Sequence, residues 1–266
     1  VRLTEKGWKA LYDDKNKTIV ALNKGKESIT LEPGGQIELS GAPLDNIHET
    51  CEETTNHLHE LKELGKEFNF ILLGMGVEPS LKLGDFPWMP KQRYKIMKKY
   101  MQKVGTLGHH MMQRTCTNQV NIDYSSEKDM IKKFRLMLNL EAIATAIFAN
   151  SPFDVGKVSK FKSLRSHFWH HTDADRTGLL PFVFEKGFNF EKYTDYALNV
   201  PMYFIKRDDN YIDMTNYTFR EFFDGKCNDI NHEVTLKDWE DHLTTLFPQA
   251  RIKNYIEIRS MDACNW

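Results

Sequence analysis

Three short segments place carboxylate, amide and guanidinium groups on one face of a predicted strand. Side chains alternate between the two faces of a strand, so residues two positions apart share a face. The intervening positions are mostly Ile, Leu or Val, which suit a buried core. The polar faces carry Gln36, Glu38 and Ser40; Thr115, Thr117, Gln119, Asn121 and Asp123; and Tyr255, Glu257 and Arg259.

These polar faces have two interpretations. Carboxylate and amide oxygens on adjacent strands are the ligands that Mg²⁺ prefers, and neighbouring arginines bind phosphate or carboxylate through two parallel hydrogen bonds. The alternative is a sheet with one face in water, which the pattern alone favours. Periodicity does not decide between a site and a wet surface.

The segment from Ser163 to Gly178 concentrates polar and aromatic side chains. Arg165 and Arg176 lie near aromatic residues, a combination that suits a pocket for a small carboxylate or phosphate. Three histidines (His167, His170 and His171) also stand close to Asp173 and Asp175. Their spacing matches no standard zinc pattern, so zinc and a merely polar surface loop remain alternatives.

Periodicity predicts the elements that position these residues. Alternation predicts strands at 18–22, 28–31, 36–40, 69–77, 114–124 and 254–259, and a hairpin over 201–213. Helical spacing predicts helices at 44–68, 91–104, 126–150 and 236–246. The segments 78–90 and 151–161 are predicted loops. Irregular alternation of the two element types predicts an α+β fold with an antiparallel or mixed sheet.

Composition excludes several classes of protein. With 266 residues, 41% apolar and 27% charged, the chain supports a sizeable core. A net charge of −1 gives no global attraction for nucleic acid, and no apolar run approaches the length of a membrane span. The four cysteines show no zinc spacing and predict reduced thiols in a cytoplasmic protein. The P-loop, dinucleotide-binding and nucleophile-elbow motifs are missing.

Several long motifs together resemble the glutamate–cysteine ligase family, in the branch shared by plants and many bacteria. They cover the chain nearly from end to end. The motifs are Glu32–Leu44, Met89–Tyr94, Arg114–Asn121, Ser163–His167, Asp175–Gly178 and Asn199–Phe204.

The resemblance implies a glutamine-synthetase-like fold, in which a curved antiparallel sheet forms a funnel with helices outside. It also implies ATP-dependent joining of L-glutamate to L-cysteine, the first step of glutathione synthesis. In that reaction ATP phosphorylates the glutamate γ-carboxylate, and the cysteine amine attacks the acyl phosphate. The implied cofactor is Mg²⁺, and the implied partners are glutamate, cysteine and ATP, with no nucleic acid or membrane.

The resemblance also implies roles for individual residues. Arg165 holds the glutamate carboxylate and Arg259 binds phosphate, and these are the predicted catalytic residues. The other implied residues are Glu38, Glu257 and Glu32 as metal ligands; Gln119 as a metal or nucleotide contact; and Met112, Arg114 and Tyr196 as lining of the amino-acid pocket. Alternatively, Met112 and Tyr196 belong to the core and Arg114 to a structural ion pair. The alternation of side chains along the predicted strands selects four of these residues independently of the family: Glu38, Gln119, Glu257 and Arg259.

The chain departs from the family pattern at both ends. The Gly-Thr-Glu-His-Glu motif of the first family strand has no match in Val1–Leu31, and the family continues beyond a position equivalent to Trp266. We therefore expect residues 1–266 to form a single catalytic domain that is incomplete at both termini. Two other functions stay open: a ligase joining glutamate to another amine, and a non-catalytic relative that binds an amino acid or nucleotide.

Overall fold

The structure is a computed structural model that describes residues 2–13, 18–208 and 210–265. Its helices are α1 (Arg2–Glu5), α2 (Ile47–Phe68), α3 (Gln92–Val104), α4 (Gly108–Arg114), α5 (Glu127–Ile147), α6 (Leu164–His170), α7 (Phe190–Asn199), α8 (Phe219–Phe223) and α9 (Leu236–Leu243). Its strands are β1 (Lys9–Asp13), β2 (Thr18–Lys24), β3 (Glu27–Leu31), β4 (Ile37–Ser40), β5 (Val120–Ile122), β6 (Phe153–Asp154), β7 (Lys157–Val158), β8 (Thr177–Gly178), β9 (Phe204–Arg207), β10 (Asn210–Asp213), β11 (Phe247–Pro248), β12 (Ala250–Ile252) and β13 (Ile256–Ile258).

The first sheet is an antiparallel meander in the order β1-β2-β3-β4. Glu38 on β4 lies opposite Thr30 on β3. The long helix α2 follows this sheet, and its Asn46 cap accepts hydrogen bonds from two backbone amides of the first turn. The Trp8 indole donates to Glu60 of α2 over 3.1 Å, which joins the helix to the sheet.

The second sheet has the order β12-β13-β5 and is also antiparallel. Helix α5 packs on it and buries Met130 and Phe134 completely, together with Ile256 of β13. The Ser126 hydroxyl caps α5 by accepting from the Asp129 amide. This sheet is therefore anchored to the largest apolar cluster, and its polar face is left for other contacts.

Three two-stranded pairs complete the described strands. The β9-β10 hairpin lies over a core that includes Met202 and Ile205, both fully buried. The pair β8-β11 is parallel, with Thr177 opposite Phe247. The pair β6-β7 is a hairpin within 151–161, where Gly156 has a φ of 74°.

The structure confirms the α+β class and most predicted elements, including helices α2, α3, α5 and α9 and the β9-β10 hairpin. Asp209, in the predicted hairpin turn, lies outside the described residues. The predicted buried strand at 69–77 is wrong: the segment is irregular up to an isolated bridge at Val77, and Ile71 is 83% exposed. The apolar run there cannot be told from a strand by hydrophobicity alone.

The predicted strand at 114–124 is shorter than expected, because Arg114 ends α4 and only Val120–Ile122 join a ladder. Thr115 and Thr117 make isolated bridges to Val77 and Asp262 instead. The predicted loop at 151–161 contains the β6-β7 hairpin. Cys51, Cys116, Cys227 and Cys264 are free, as predicted.

Candidate functional site

A tight loop at 32–36 connects the strand of Glu38 to helix α4. The Gly35 amide donates to the Glu32 carbonyl over 2.8 Å, and Gly35 has a φ of 87°, which favours glycine. The Gln36 side-chain amide donates to the carbonyls of Met112 (3.1 Å) and Thr115 (3.2 Å). The loop therefore fixes the start of β4 against the C-terminal end of α4.

Gly34 makes the closest approach in this loop. A Cβ atom at this position would lie 2.2 Å from the Gln113 carbonyl oxygen, a backbone atom that cannot rotate away. We expect Gly34→Ala to lower the free energy of unfolding by about 1–3 kcal/mol, the usual cost of overpacking. Urea unfolding checks this. Gly84→Ala is the matched control, because a Cβ at Gly84 meets no atom within 4 Å. Equal stability of the two variants would contradict the close approach.

Basic side chains from the start of α3 approach the same loop. The Lys91 ammonium donates to the Leu31 carbonyl over 2.8 Å. Burial and the nearby Arg93 lower the pKa of Lys91, while Glu32 and Glu38 act in the opposite direction. Neither Lys91 nor Arg93 is among the predicted site residues, although both lie in the Met89–Tyr94 motif. That motif was the signal available for them.

The Glu38 carboxylate on β4 lies within electrostatic range of charged groups from several parts of the chain. Its side chain is exposed, yet surrounding protein raises its pKa by displacing water, and Glu32 and Glu257 raise the pKa further. Arg259 and Lys91 oppose this increase. The structure thus brings Glu32, Glu38, Glu257 and Arg259 within electrostatic range of one another, and their roles in metal and phosphate binding stay predictions.

Glu257 lies on the polar face of the second sheet, directly opposite Asn121. Its carboxylate is 3% exposed and pairs with Arg251 (2.8 Å), Lys253 (2.8 Å) and Arg259. Burial acts to raise its pKa, but these three cations outweigh burial and lower the pKa to about 2. In this arrangement Glu257 binds arginine and lysine, so its metal-binding role stays a prediction.

Arg165 and Arg259 both contact one aromatic ring. The guanidinium carbons are 5.4 Å and 5.9 Å from the ring centroid of Trp169. Arg165 is 2% exposed and donates to the carbonyls of Ser260 (3.1 Å) and Arg259 (2.8 Å). Burial lowers the pKa of Arg165 to about 10, which leaves it cationic at neutral pH. Its Nε atom is buried with no hydrogen-bond partner among the described residues.

Cys116 is a further residue that the sequence interpretation missed. Burial raises the pKa of this thiol to about 11, and Arg165, Glu38 and Glu32 contribute to its electrostatic environment. The thiol is therefore protonated at neutral pH and lies among the groups predicted to bind substrate. Only its place inside the Arg114–Asn121 motif pointed to it.

The remaining predicted residues have mixed surroundings. Met112 is buried in the core cluster with Tyr94 and Met101, and Arg114 is buried in an ion pair with Asp154 at 2.8 Å. The Tyr196 hydroxyl is buried without a partner among the described residues, and burial raises its pKa. Gln119 is exposed just before β5. Met112 and Arg114 thus have clear structural roles, and their roles in a pocket stay predictions.

The carboxylates fit a magnesium ion only in part. Within residues 2–13, 18–208 and 210–265, no three His, Cys, Asp or Glu side chains lie close enough to hold a metal ion. Two carboxylates still lie near each other, that of Glu32 on the 32–36 loop and that of Glu38 on β4. Mg²⁺ is usually bound through one or two carboxylates, with water and phosphate oxygens as its other ligands. That donor set is compatible with Mg²⁺ bound together with a nucleotide.

Comparison with known proteins agrees with these motifs. The family model described as Glutamate-cysteine ligase family 2 matches residues 4–266. The chain belongs to this family. It is 54% identical over 260 residues to glutamate–cysteine ligase B, chloroplastic, of Oryza sativa subsp. japonica, covering 97% of this chain and 52% of the relative. It is 55% identical over 260 residues to the chloroplastic glutamate–cysteine ligase of Medicago truncatula, covering 97% of this chain and 51% of that relative. It is 56% identical over 249 residues to the chloroplastic glutamate–cysteine ligase of Arabidopsis thaliana, covering 93% of this chain and 48% of that relative.

The chain spans about half the length of the curated relatives it matches. The predicted cytoplasmic location is contradicted, because these members of the ligase family are named chloroplastic. Among the helices that the structure describes, none combines the length and apolarity needed to cross a membrane.

Proposed function

We propose that this member of the ligase family takes part in ATP-dependent joining of the γ-carboxylate of L-glutamate to the amine of L-cysteine. The product is γ-glutamylcysteine, formed through a γ-glutamyl phosphate. The observation that carries the proposal is that Glu32 of the 32–36 loop and Arg259, next to β13, lie near enough to Glu38 of β4 to act on its charge. Family membership over residues 4–266 supports the same reaction.

The proposed site needs Mg²⁺ and ATP. Glu38 and Glu32 would hold the metal ion, which would neutralise charge on the transferred phosphoryl group. Arg259 would bind phosphate, because Glu257 pairs with its Nη1 atom while its buried Nε has no partner among the described residues. Gln119 would contact the nucleotide or the metal ion from the edge of β5.

The amino-acid side of the proposed site centres on Arg165. Its buried guanidinium keeps one N–H group, Nε, without a partner in the described structure, which suits a carboxylate. Met112, Arg114 and Tyr196 are the proposed lining of the pocket. We also propose that residues 1–266 belong to one catalytic domain with the funnel-shaped sheet of glutamine synthetase. The names of the relatives favour a plastid location.

The experiment is ADP release by the protein expressed from its complete natural gene, with ATP and Mg²⁺. Glutamate alone, cysteine alone and both together are compared, and the product is identified by mass. ADP formation that requires both amino acids, with γ-glutamylcysteine as product, supports the proposal. ADP formation with glutamate and an amine other than cysteine would keep the proposed type of reaction and change the proposed amine substrate. ATP binding without turnover would favour a non-catalytic relative.

A further inference from the structure

Asp262 is a buried carboxylate that the proposed reaction does not use. It is 1% exposed and follows the strand of Glu257 and Arg259 by a few residues. Three groups donate hydrogen bonds to it: the Ser163 hydroxyl (2.8 Å), the Ser151 hydroxyl (2.6 Å) and the backbone N–H of Asn150 (2.8 Å). A buried carboxylate with three donors is a strongly fixed group.

Two of these donors also hold the start of α6, the helix that carries Arg165. The Ser163 hydroxyl caps the helix by accepting from the Ser166 amide over 3.1 Å. The Ser151 hydroxyl accepts from the backbone amide of Arg165 itself, also over 3.1 Å. Asp262 therefore orients two hydroxyl groups that fix the backbone at Arg165.

The contact is reciprocal, because the Arg165 side chain returns to the segment that carries Asp262. Its guanidinium donates to the carbonyls of Arg259 and Ser260. Asp262 and Arg165 thus join the same two chain segments at two separate points. Neighbouring backbone holds this arrangement tightly, since a Cβ at Gly76 would lie 2.4 Å from the Asp262 carboxyl carbon.

We propose that Asp262 is a positioning residue for the substrate carboxylate and acts through Arg165. The inference rests on the proposed function, in which Arg165 binds glutamate. Without the Asp262 charge, the two serine hydroxyls lose the acceptor that orients them, and α6 shifts or rotates at its first turn. The guanidinium of Arg165 then leaves its place, although no atom of Asp262 needs to touch the substrate.

The test is a double-mutant cycle in the enzyme expressed from its complete gene, with KM measured for glutamate and for ATP. We expect Asp262→Asn to raise the glutamate KM about 10-fold or more, because an amide cannot accept from all three donors. The ATP KM should change much less. Ser151→Ala is the milder variant and should act in the same direction with less loss of stability. In the Arg165→Ala background, Asp262→Asn should add little to the glutamate KM.

Asp238→Asn is the matched control, because Asp238 is equally buried and hydrogen-bonded but pairs with Arg207, on β9. It should lower the melting temperature and leave the glutamate KM unchanged. Additive effects of Asp262→Asn and Arg165→Ala, or equal changes in both KM values, would overturn the positioning role. If Arg165→Ala leaves the glutamate KM unchanged, the assignment of Arg165 falls and this inference falls with it. A wild-type enzyme without ligase activity would overturn the proposed function itself.

Discussion

Replacing Glu257 by glutamine is expected to lower the free energy of unfolding by about 3–5 kcal/mol, the cost of removing one partner from a buried ion pair. The variant leaves Arg251 and Arg259 next to each other with no anion between them. Arg251 is itself 8% exposed and cannot turn into water without leaving the core. Urea unfolding followed by circular dichroism measures the effect.

Asp195→Asn is the control for Glu257→Gln. Asp195 pairs with Arg220 at 2.9 Å, but both side chains are well exposed, so the loss of that pair should change stability only slightly. If both variants had the same stability, the ion network around Glu257 would be no more important than an exposed pair.

The same network predicts how stability depends on pH. The folded-state pKa of Glu257 is lowered from 4.5 to about 2, so its ionised form favours folding. This contribution is fully present above the unfolded-state pKa and is lost as the pH falls through the folded-state pKa. It amounts to roughly 3 kcal/mol. Between pH 5 and pH 2, Glu257→Gln should therefore lose less stability than the wild-type protein.

Replacing Glu38 by glutamine is expected to lower kcat at least about 100-fold while leaving the melting temperature unchanged. The proposed metal ion would lose an anionic ligand, and charge stabilisation by a metal is worth several kcal/mol in the transition state. The side chain is exposed, and no hydrogen bond from another described side chain depends on it. Steady-state kinetics across a Mg²⁺ titration, with thermal unfolding in parallel, test the prediction.

Glu27→Gln provides the matched control for Glu38→Gln. Glu27 is a glutamate on the adjacent strand β3, and its pKa is also raised by burial and by neighbouring glutamates, but these are Glu53 and Glu60 on α2. Its replacement should leave kcat intact. Wild-type rates for Glu38→Gln with an unchanged dependence on Mg²⁺ concentration would remove Glu38 from the metal site.

Local periodicity was sufficient to predict the polar faces of the strands. Glu257 and Asn121 share one face of the second sheet, as alternation along each strand predicts, but their direct pairing was not predictable from alternation. Helix α5 was also predictable, since its Ser126 cap and its apolar spacing act within a few residues of one another. The polar and aromatic composition of 163–178 pointed to Arg165, and the family motifs gave this residue a specific role.

The rest depends on contacts between distant parts of the chain. No local rule brings Lys91 to the Leu31 carbonyl, or Asp262 to the first turn of α6. Local pattern also does not predict that Arg251 pairs with Glu257, because Arg251 comes from the neighbouring strand β12. At 69–77 the apolar composition predicted burial, but the described residues provide no neighbouring strand for pairing before Val77.

The loop at 32–36 ties the strand of Glu38 to the end of α4, from which the chain continues towards β5 of the second sheet. Glu38 stands on one sheet and Arg259 beside another, and the Gln36 amide anchors the loop to the backbone at Met112 and Thr115. A ligand that bridges the two sheets would therefore tighten this connection, while a ligand bound to one side would not. The amide hydrogens of Glu32 and Gly35, which are bonded within the loop, should exchange with deuterium more slowly only in the bridged state.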